Sequence, residues 1–183
     1  MQDLSLHILD IAENSIKAEA SKITIIINES KKKNLFTLEV KDNGKGMNND
    51  MLKHAEDPFH TTRTTRKVGL GIPLLSQAAK DCEGDMQIET EKGVGSRIKA
   101  SFQHNHIDRK PLGDITATII VLIAGNPQRD FIFQIIREDE ELLIDTAHLK
   151  KDLEDLPINS PDVIKIIKET INDWLNQTNY MIE

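Results

Sequence analysis

Four polar side chains near the N-terminus, His7, Asp10, Asn14 and Lys17, are separated by three, four and three residues. At this spacing they lie along one stripe of an α-helix. An amide oxygen is a hard ligand of the kind that Mg²⁺ accepts, and a carboxylate one helical turn away can orient or deprotonate a water molecule. A lysine one turn further can neutralise phosphate charge. His7, without a second chemical signal, is interpreted as a surface residue.

A glycine-rich segment follows the second predicted strand and reads Asp42-Asn43-Gly44-Lys45-Gly46-Met47. Two glycines at this spacing permit positive φ and a close approach of the backbone to a ligand. Asp42 stands at the end of the strand, where its side chain can reach into a cleft. Met47 is interpreted as core or as part of a pocket wall.

Residues 56–67 are rich in hydroxyl and basic side chains and show no apolar periodicity, which predicts a loop. The loop leads into Gly69-Leu70-Gly71, and a helix with a proline near its first turn follows. Amides at such a helix start, with basic residues just before it, suit phosphate. A magnesium nucleotide accounts for this loop, the Asp42 segment and the polar helix stripe together, although no Walker-type P-loop motif occurs.

Hydropathy periodicity predicts the elements that must position these residues. Helices are expected over residues 4–20, from the glycines at 69 and 71 to residue 79, and over 111–124, 147–153 and 161–175. Strands are expected over 22–28, 35–40, 86–90, 96–102, 131–136 and 142–145, with the first two and the last two forming hairpins. No catalytic motif is recognised in the second part of the chain. Its helix is apolar and must bury its apolar face, so it either packs on the first part or forms a protein interface.

The composition is that of a globular protein, with 38% hydrophobic and 29% charged residues. Residues 1–103 hold 15 basic and 15 acidic residues, so residues 104–183, with 8 and 15, carry the whole net charge of -7. Nucleic acid is therefore not an expected partner. No signal sequence or membrane span is recognised, and the single cysteine, Cys82, suits a reducing compartment and a packing role. A cytoplasmic location is expected.

Residues 8–15, Ile-Leu-Asp-Ile-Ala-Glu-Asn-Ser, resemble the N box of the GHKL ATPase superfamily, which includes gyrase, heat-shock chaperones, histidine kinases and MutL. Residues 42–46 resemble the first glycine box of that superfamily, and residues 68–72 resemble the second. Residues 93–97, Gly-Val-Gly-Ser-Arg, resemble the last box. The surroundings of Asn14 are most similar to MutL, whereas residues 56–62 and 69–102 are most similar to sensor histidine kinases.

The resemblance implies a Bergerat-type α/β sandwich, with a mixed sheet and helices on one face, over residues 1–103. It implies a small C-terminal α+β extension, residues 104–183, that is a candidate for binding a protein partner, and it leaves a homodimer open. ATP and Mg²⁺ are the implied cofactors. Asn14 would ligate magnesium, Asp10 would be the catalytic acid that orients water, and Asp42 would accept the adenine amino group.

The remaining implied nucleotide contacts come from the glycine boxes, the lid and the last box. Residues 54–68 would form the lid. Asp10 replaces the glutamate of the gyrase and MutL branches, and Lys67 replaces the first glycine of the histidine-kinase pattern, which would stiffen the lid. The implied nucleotide-binding residues besides Asn14 and Asp42 are Lys17, Gly44, Gly46, Met47, Thr62, Arg63, Lys67, Val68, Gly69, Leu70, Gly71 and Ser96.

Three functions are compatible with these residues. Only nine residues precede Asp10, so the sequence as given is expected to lack the dimerisation module of a complete sensor kinase. The first hypothesis is a stand-alone ATP-binding protein that acts as a kinase or regulator in signal transduction. The second is a slow ATPase whose hydrolysis gates a conformational or assembly step, as in the MutL and chaperone branches. The third is a nucleotide-sensing interaction module without enzymatic activity.

Overall fold

A computed structural model describes residues 3–47 and 71–180 of the chain, and the side chains up to residue 178. Its helices are α1 (Leu4–Lys17), α2 (Gly71–Lys80), α3 (Ile115–Gly125), α4 (Thr146–Asp152) and α5 (Pro161–Tyr180). Its strands are β1 (Lys22–Ser30), β2 (Leu35–Asp42), β3 (Met86–Glu91), β4 (Gly95–Gln103), β5 (Asp130–Arg137) and β6 (Glu140–Asp145). Every described element matches a sequence prediction in type, and most boundaries agree within a few residues.

The six strands form one mixed sheet in the order β3-β4-β2-β1-β5-β6. Strand β1 pairs in parallel with β5, and the other neighbouring strands are antiparallel. The fold is therefore the expected α/β sandwich with a mixed sheet. Its register brings Asp42 at the end of β2 opposite Ser96 at the start of β4, and Ser96 opposite Thr90 on β3.

The hydrophobic core lies between the sheet and the helices. Alternate residues of the strands point toward the helix layer, as the period of two in their burial shows. Phe36 and Phe102, on neighbouring strands, meet edge to face with centroids 6.0 Å apart. Cys82 is buried in this core, in agreement with its predicted packing role.

The C-terminal part of the chain continues the sheet of the first part. Strand β5 inserts Phe131, Phe133 and Ile135 into the same core as β1. Helix α3 packs against both α1 and α5, which confirms that the apolar helix packs on the first part of the chain. The sequence predicted the hairpin of β5 and β6 but gave no sign that it joins the first sheet.

Helix α3 begins at Ile115, four residues later than predicted. The carbonyl groups of Pro111 and Leu112 instead accept hydrogen bonds from the backbone N–H groups of Leu4 and Ser5 at the start of α1. Asp114 then caps α3 through a hydrogen bond from the Ala117 N–H. Within residues 3–47 and 71–180, no helix combines the length and apolar character that a membrane crossing requires.

A stability measurement tests whether β5 shares one cooperative core with residues 1–103. Phe133→Ala removes a buried ring from the centre of the shared sheet and should lower the unfolding free energy by about 3–5 kcal/mol in a single denaturant transition. Leu143→Ala, on the neighbouring strand but 58% exposed, is the control and should cost less than about 1 kcal/mol. Two separate transitions, with the first part of the chain unaffected by Phe133→Ala, would contradict the shared core.

Candidate nucleotide site

Helix α1 carries the polar stripe. Asp3 caps the helix by accepting a hydrogen bond from the Leu6 N–H at 3.1 Å. The apolar face of the helix is buried on the sheet, and Asp10 and Lys17 remain exposed while Asn14 is half-buried. The predicted stripe is therefore correct for these three residues.

The interpretation of His7 as a surface residue is wrong. Its side chain is 3% exposed, and its Nδ1 atom is buried without a hydrogen-bond partner in the described part of the chain. Burial lowers the pKa of His7, while a hydrogen bond to the Gly71 backbone and the charge of Asp10 oppose that shift in part. The helical stripe placed His7 on the same face as Asp10 but could not show that the start of α2 packs beside it.

Asp42 is the side chain that joins α1 to the sheet. Its Oδ2 atom accepts a hydrogen bond from the Ser15 hydroxyl at 2.7 Å, and its Oδ1 atom accepts one from the Gly44 N–H at 2.8 Å. The Ser15 hydroxyl also lies 3.3 Å from the carbonyl of Ile11, one turn earlier. A carboxylate has about four acceptor positions, so these two bonds fix its orientation and leave acceptor capacity for a ligand.

A row of hydroxyl groups lies across the strands beside Asp42. The Ser96 hydroxyl is 2.9 Å from the Thr90 hydroxyl, and the Thr90 hydroxyl lies 3.1 Å from the carbonyl of Gly95. The Met47 N–H donates to the same Thr90 oxygen at 2.8 Å and so ties the glycine-rich segment to β3. Sequence reasoning named Ser96 but missed the roles of Ser15 and Thr90, since only the strand register brings them to Asp42 and Ser96.

The glycines of this segment are required by its own backbone packing. A Cβ atom on Gly46, where φ is +62°, would lie 2.0 Å from the carbonyl oxygen of Glu91. A Cβ atom on Gly44 would lie 2.8 Å from the carbonyl oxygen of Ala18. The positive φ predicted for this segment is thus present at Gly46, and both glycines let the segment pass close to neighbouring backbone.

Helix α2 meets α1 at Asp10. A Cβ atom on Gly71 would lie 3.1 Å from Cβ and 3.3 Å from Oδ2 of Asp10, so a larger residue at this position would press on the carboxylate. The arrangement places the N-terminal end of α2, with its partial positive charge, beside the exposed acid.

Lys17 forms an exposed ion pair with Glu13 at 3.3 Å. It would have to leave this weak pair to contact phosphate. No group of three or more His, Cys, Asp or Glu side chains that could hold a metal ion occurs in residues 3–47 and 71–180. The donors on α1 fit Mg²⁺ only as a partial set, one amide oxygen with a carboxylate nearby, of the kind that phosphate oxygens and water complete. The predicted contacts Thr62, Arg63, Lys67, Val68, Gly69 and Leu70, with the rest of the expected lid, lie outside the described residues.

Comparison with known proteins identifies the domain. The model of the family "Histidine kinase-, DNA gyrase B-, and HSP90-like ATPase" matches residues 2–106, more than half of the chain. The chain belongs to this family. The resemblance to the GHKL superfamily is confirmed, and the chain carries a histidine-kinase-like ATP-binding domain.

Two curated relatives of this ATPase-family chain are by name a sensor protein and a sporulation kinase. It is 33% identical over 103 residues to a protein of Shewanella frigidimarina that is named as a sensor protein, and 33% identical over 88 residues to sporulation kinase C of Bacillus subtilis. These matches cover 55% and 48% of this chain but only 16% and 20% of the relatives. The chain therefore matches less than a quarter of the length of either relative.

A solved structure of the N-terminal domain of a DNA repair protein has the same fold. It superposes with a TM-score of 0.52 at 17% identity, covering 79% of this chain and 52% of that one. The covered share is larger than residues 2–106 can supply, so the likeness of fold extends beyond residue 106.

The burial of His7 predicts a specific pH dependence of stability. The unfolded chain binds a proton to His7 near pH 6.5, and the folded chain binds it only at lower pH, so stability is lost as pH falls below about 6.5. One such group contributes a slope of at most about 1.4 kcal/mol per pH unit. Denaturant unfolding of the wild type and His7→Gln between pH 7.5 and 5 measures this slope, which should be smaller in the variant.

His148→Gln is the matched control, because the His148 side chain is 76% exposed. This substitution should not reduce the wild-type slope. An equal slope in the wild type and His7→Gln would show that His7 does not titrate as a buried neutral side chain.

Proposed function

We propose that the chain binds Mg-ATP in the cleft beside Asp42 and acts as a kinase or regulator in signal transduction. The observation that carries the proposal is the carboxylate of Asp42, held by Ser15 and Gly44 at the end of β2 with acceptor capacity remaining. An acceptor fixed in this way suits the amino group of adenine. Membership in an ATPase family supports the same ligand.

The roles of the surrounding residues follow from their positions on α1 and the sheet. Asn14 would ligate magnesium together with phosphate oxygens and water, and Asp10 would orient a water molecule. Lys17 would contact phosphate after leaving Glu13. Gly71, at the start of α2, would present its backbone to phosphate. Ser96, in the hydroxyl row, would stand near the adenine.

The signalling role rests on the relatives. One relative is named a kinase and the other a sensor protein, and the match to each lies within a much longer chain. The family domain supplies nucleotide binding, so the acceptor of any phosphate must come from elsewhere. A protein partner bound through residues 104–183 would fit, since the apolar helix α3 leaves Val121 56% exposed.

Slow ATP hydrolysis is the second candidate function. It is favoured by the exposed Asp10 carboxylate, one turn before Asn14 and beside the start of α2, where a water molecule can reach it. Incubation with γ-labelled ATP and Mg²⁺, alone and with lysate of the source cells, separates the candidates. Label on a second protein indicates a kinase, and released phosphate that Asp10→Asn abolishes indicates an ATPase. Binding with neither result favours nucleotide sensing.

Asp42→Asn tests the pocket itself. The substitution replaces an acceptor by an amide that must also satisfy the Ser15 and Gly44 donors, so the affinity for Mg-ADP should fall at least about 100-fold. Isothermal titration calorimetry measures the dissociation constant. Asp139→Asn makes the same charge change at a side chain that is 91% exposed and should bind like the wild type. Unchanged affinity in Asp42→Asn would reject the assignment of the pocket.

A further inference from the structure

Arg129 lies immediately before β5, in the part of the chain that the family model does not cover. Its Nη1 atom donates a hydrogen bond to the carbonyl of Ala20, in the turn that follows α1. Its Nε atom is buried and has no hydrogen-bond partner within the described residues. Among the described residues, the hydrogen bond of the guanidinium therefore goes to the backbone of that turn.

Three consecutive hydrogen bonds lead from Arg129 to Asp42. The guanidinium binds the Ala20 carbonyl, and the Ala20 N–H donates to the carbonyl of Ser15 at 3.1 Å. The Ser15 hydroxyl donates to Asp42 Oδ2 at 2.7 Å. Only two residues, Ala20 and Ser15, therefore separate Arg129 from the proposed adenine acceptor.

The same turn also holds the glycine-rich segment. The backbone N–H groups of Ser21 and Lys22 both donate to the side-chain oxygen of Asn43, at 3.0 and 2.9 Å. The Lys45 N–H donates to the carbonyl of Ala18 at 2.9 Å. A displacement of the turn would therefore move Asp42 in two ways, through Ser15 on α1 and through the glycine-rich segment that follows Asp42.

Residues of the second part of the chain fix this turn and the opposite end of α1. The Asp130 N–H donates to the Ser21 carbonyl at 2.8 Å, and Lys150 on α4 binds the Arg129 carbonyl and the Asp130 carboxylate. At the start of α1, the Leu4 and Ser5 N–H groups donate to the carbonyls of Pro111 and Leu112. The helix that carries Asp10, Asn14 and Ser15 is therefore held at both ends by the segment that follows the family domain.

We propose that Arg129 is a positioning residue of the nucleotide site, which sets the orientation of Asp42 through Ala20 and Ser15. The inference rests on the proposed nucleotide binding and adds a route by which residues 104–183 control it. Because binding equilibria are reciprocal, bound nucleotide must also stabilise the contact between Arg129 and the turn. A partner that displaces β5 or α4 would then release nucleotide.

Arg129→Ala and Arg129→Lys test the role, with Arg137→Ala as the matched control. Arg137 lies at the other end of β5, where it pairs with Glu29 at 3.1 Å and donates to Thr178 on α5. It anchors the same segment at the end of β5 that lies away from Asp42. Calorimetric titration with Mg-ADP, at a temperature where circular dichroism shows all three variants folded, gives the dissociation constants.

Arg129→Ala should weaken Mg-ADP binding about 5- to 20-fold, a typical coupling between sites, and Arg129→Lys should recover most of the loss because lysine can still donate to the Ala20 carbonyl. Arg137→Ala should stay within about twofold of the wild type even if it lowers the melting temperature more. Equal losses in Arg129→Ala and Arg137→Ala, or no loss in Arg129→Ala, would overturn the positioning role.

Hydrogen exchange in the wild type provides a second measurement that does not depend on the folding of a variant. Mg-ADP should slow exchange of the Ala20 and Asp130 N–H groups, which bond to Ser15 and Ser21. Unchanged exchange at both, with nucleotide bound, would overturn the inference alone. Failure of the wild type to bind Mg-ADP would overturn the proposed function and the inference together.

Discussion

The candidate site depends on the two hydrogen bonds that the carboxylate of Asp42 accepts. The carboxylate accepts hydrogen bonds from Ser15 on α1 and from Gly44 in the segment after β2, so one side chain fixes the helix layer against the end of the sheet. A carboxylate in a partly buried position needs such donors, since an unpaired charge there would be costly. The same two bonds fix the orientation of the carboxylate and leave it acceptor capacity. The hydrogen bonds that join α1 to the sheet are therefore also the ones that would position the proposed acceptor of the adenine amino group.

The sequence predicted the described elements of this fold and the shared helix face of Asp10, Asn14 and Lys17. Period-two and helical patterns are local, and they located β1, β2 and α1 together with the stripe of Asp10 and Asn14. Contacts between distant segments left no local pattern. The pairing of β5 with β1, the burial of His7 and the joint position of Thr90 and Ser96 all depend on tertiary packing and strand register.

Gly44 and Gly46 show the same difference between a local sequence pattern and a tertiary contact. Positive φ at Gly46 follows from the sequence pattern, but the partner that requires it, the carbonyl of Glu91, is contributed by another strand. Gly44 similarly passes the carbonyl of Ala18. The motif therefore marked two positions where the fold requires glycine, and the requirement comes from close approach to neighbouring backbone carbonyl groups.

One sheet includes strands from residues 2–106 and from the C-terminal segment. Strand β5 is the parallel neighbour of β1. The turn after α1 contacts the start of β5 at the same end of the sheet as Asp42. The segment after the part that matches the family is thus attached at the two ends of α1. This connection provides a structural basis for the proposed coupling between residues 104–183 and Asp42.

Discrimination between adenine and hypoxanthine nucleotides tests the central claim most directly. Adenine presents an amino donor where hypoxanthine presents a carbonyl acceptor, and an acceptor-only carboxylate at Asp42 can pair with the first alone. Competition of Mg-ADP and Mg-IDP for the wild type should therefore favour ADP by about 10-fold or more. Equal affinities for the two nucleotides would contradict the assignment of Asp42 as the residue that recognises the base.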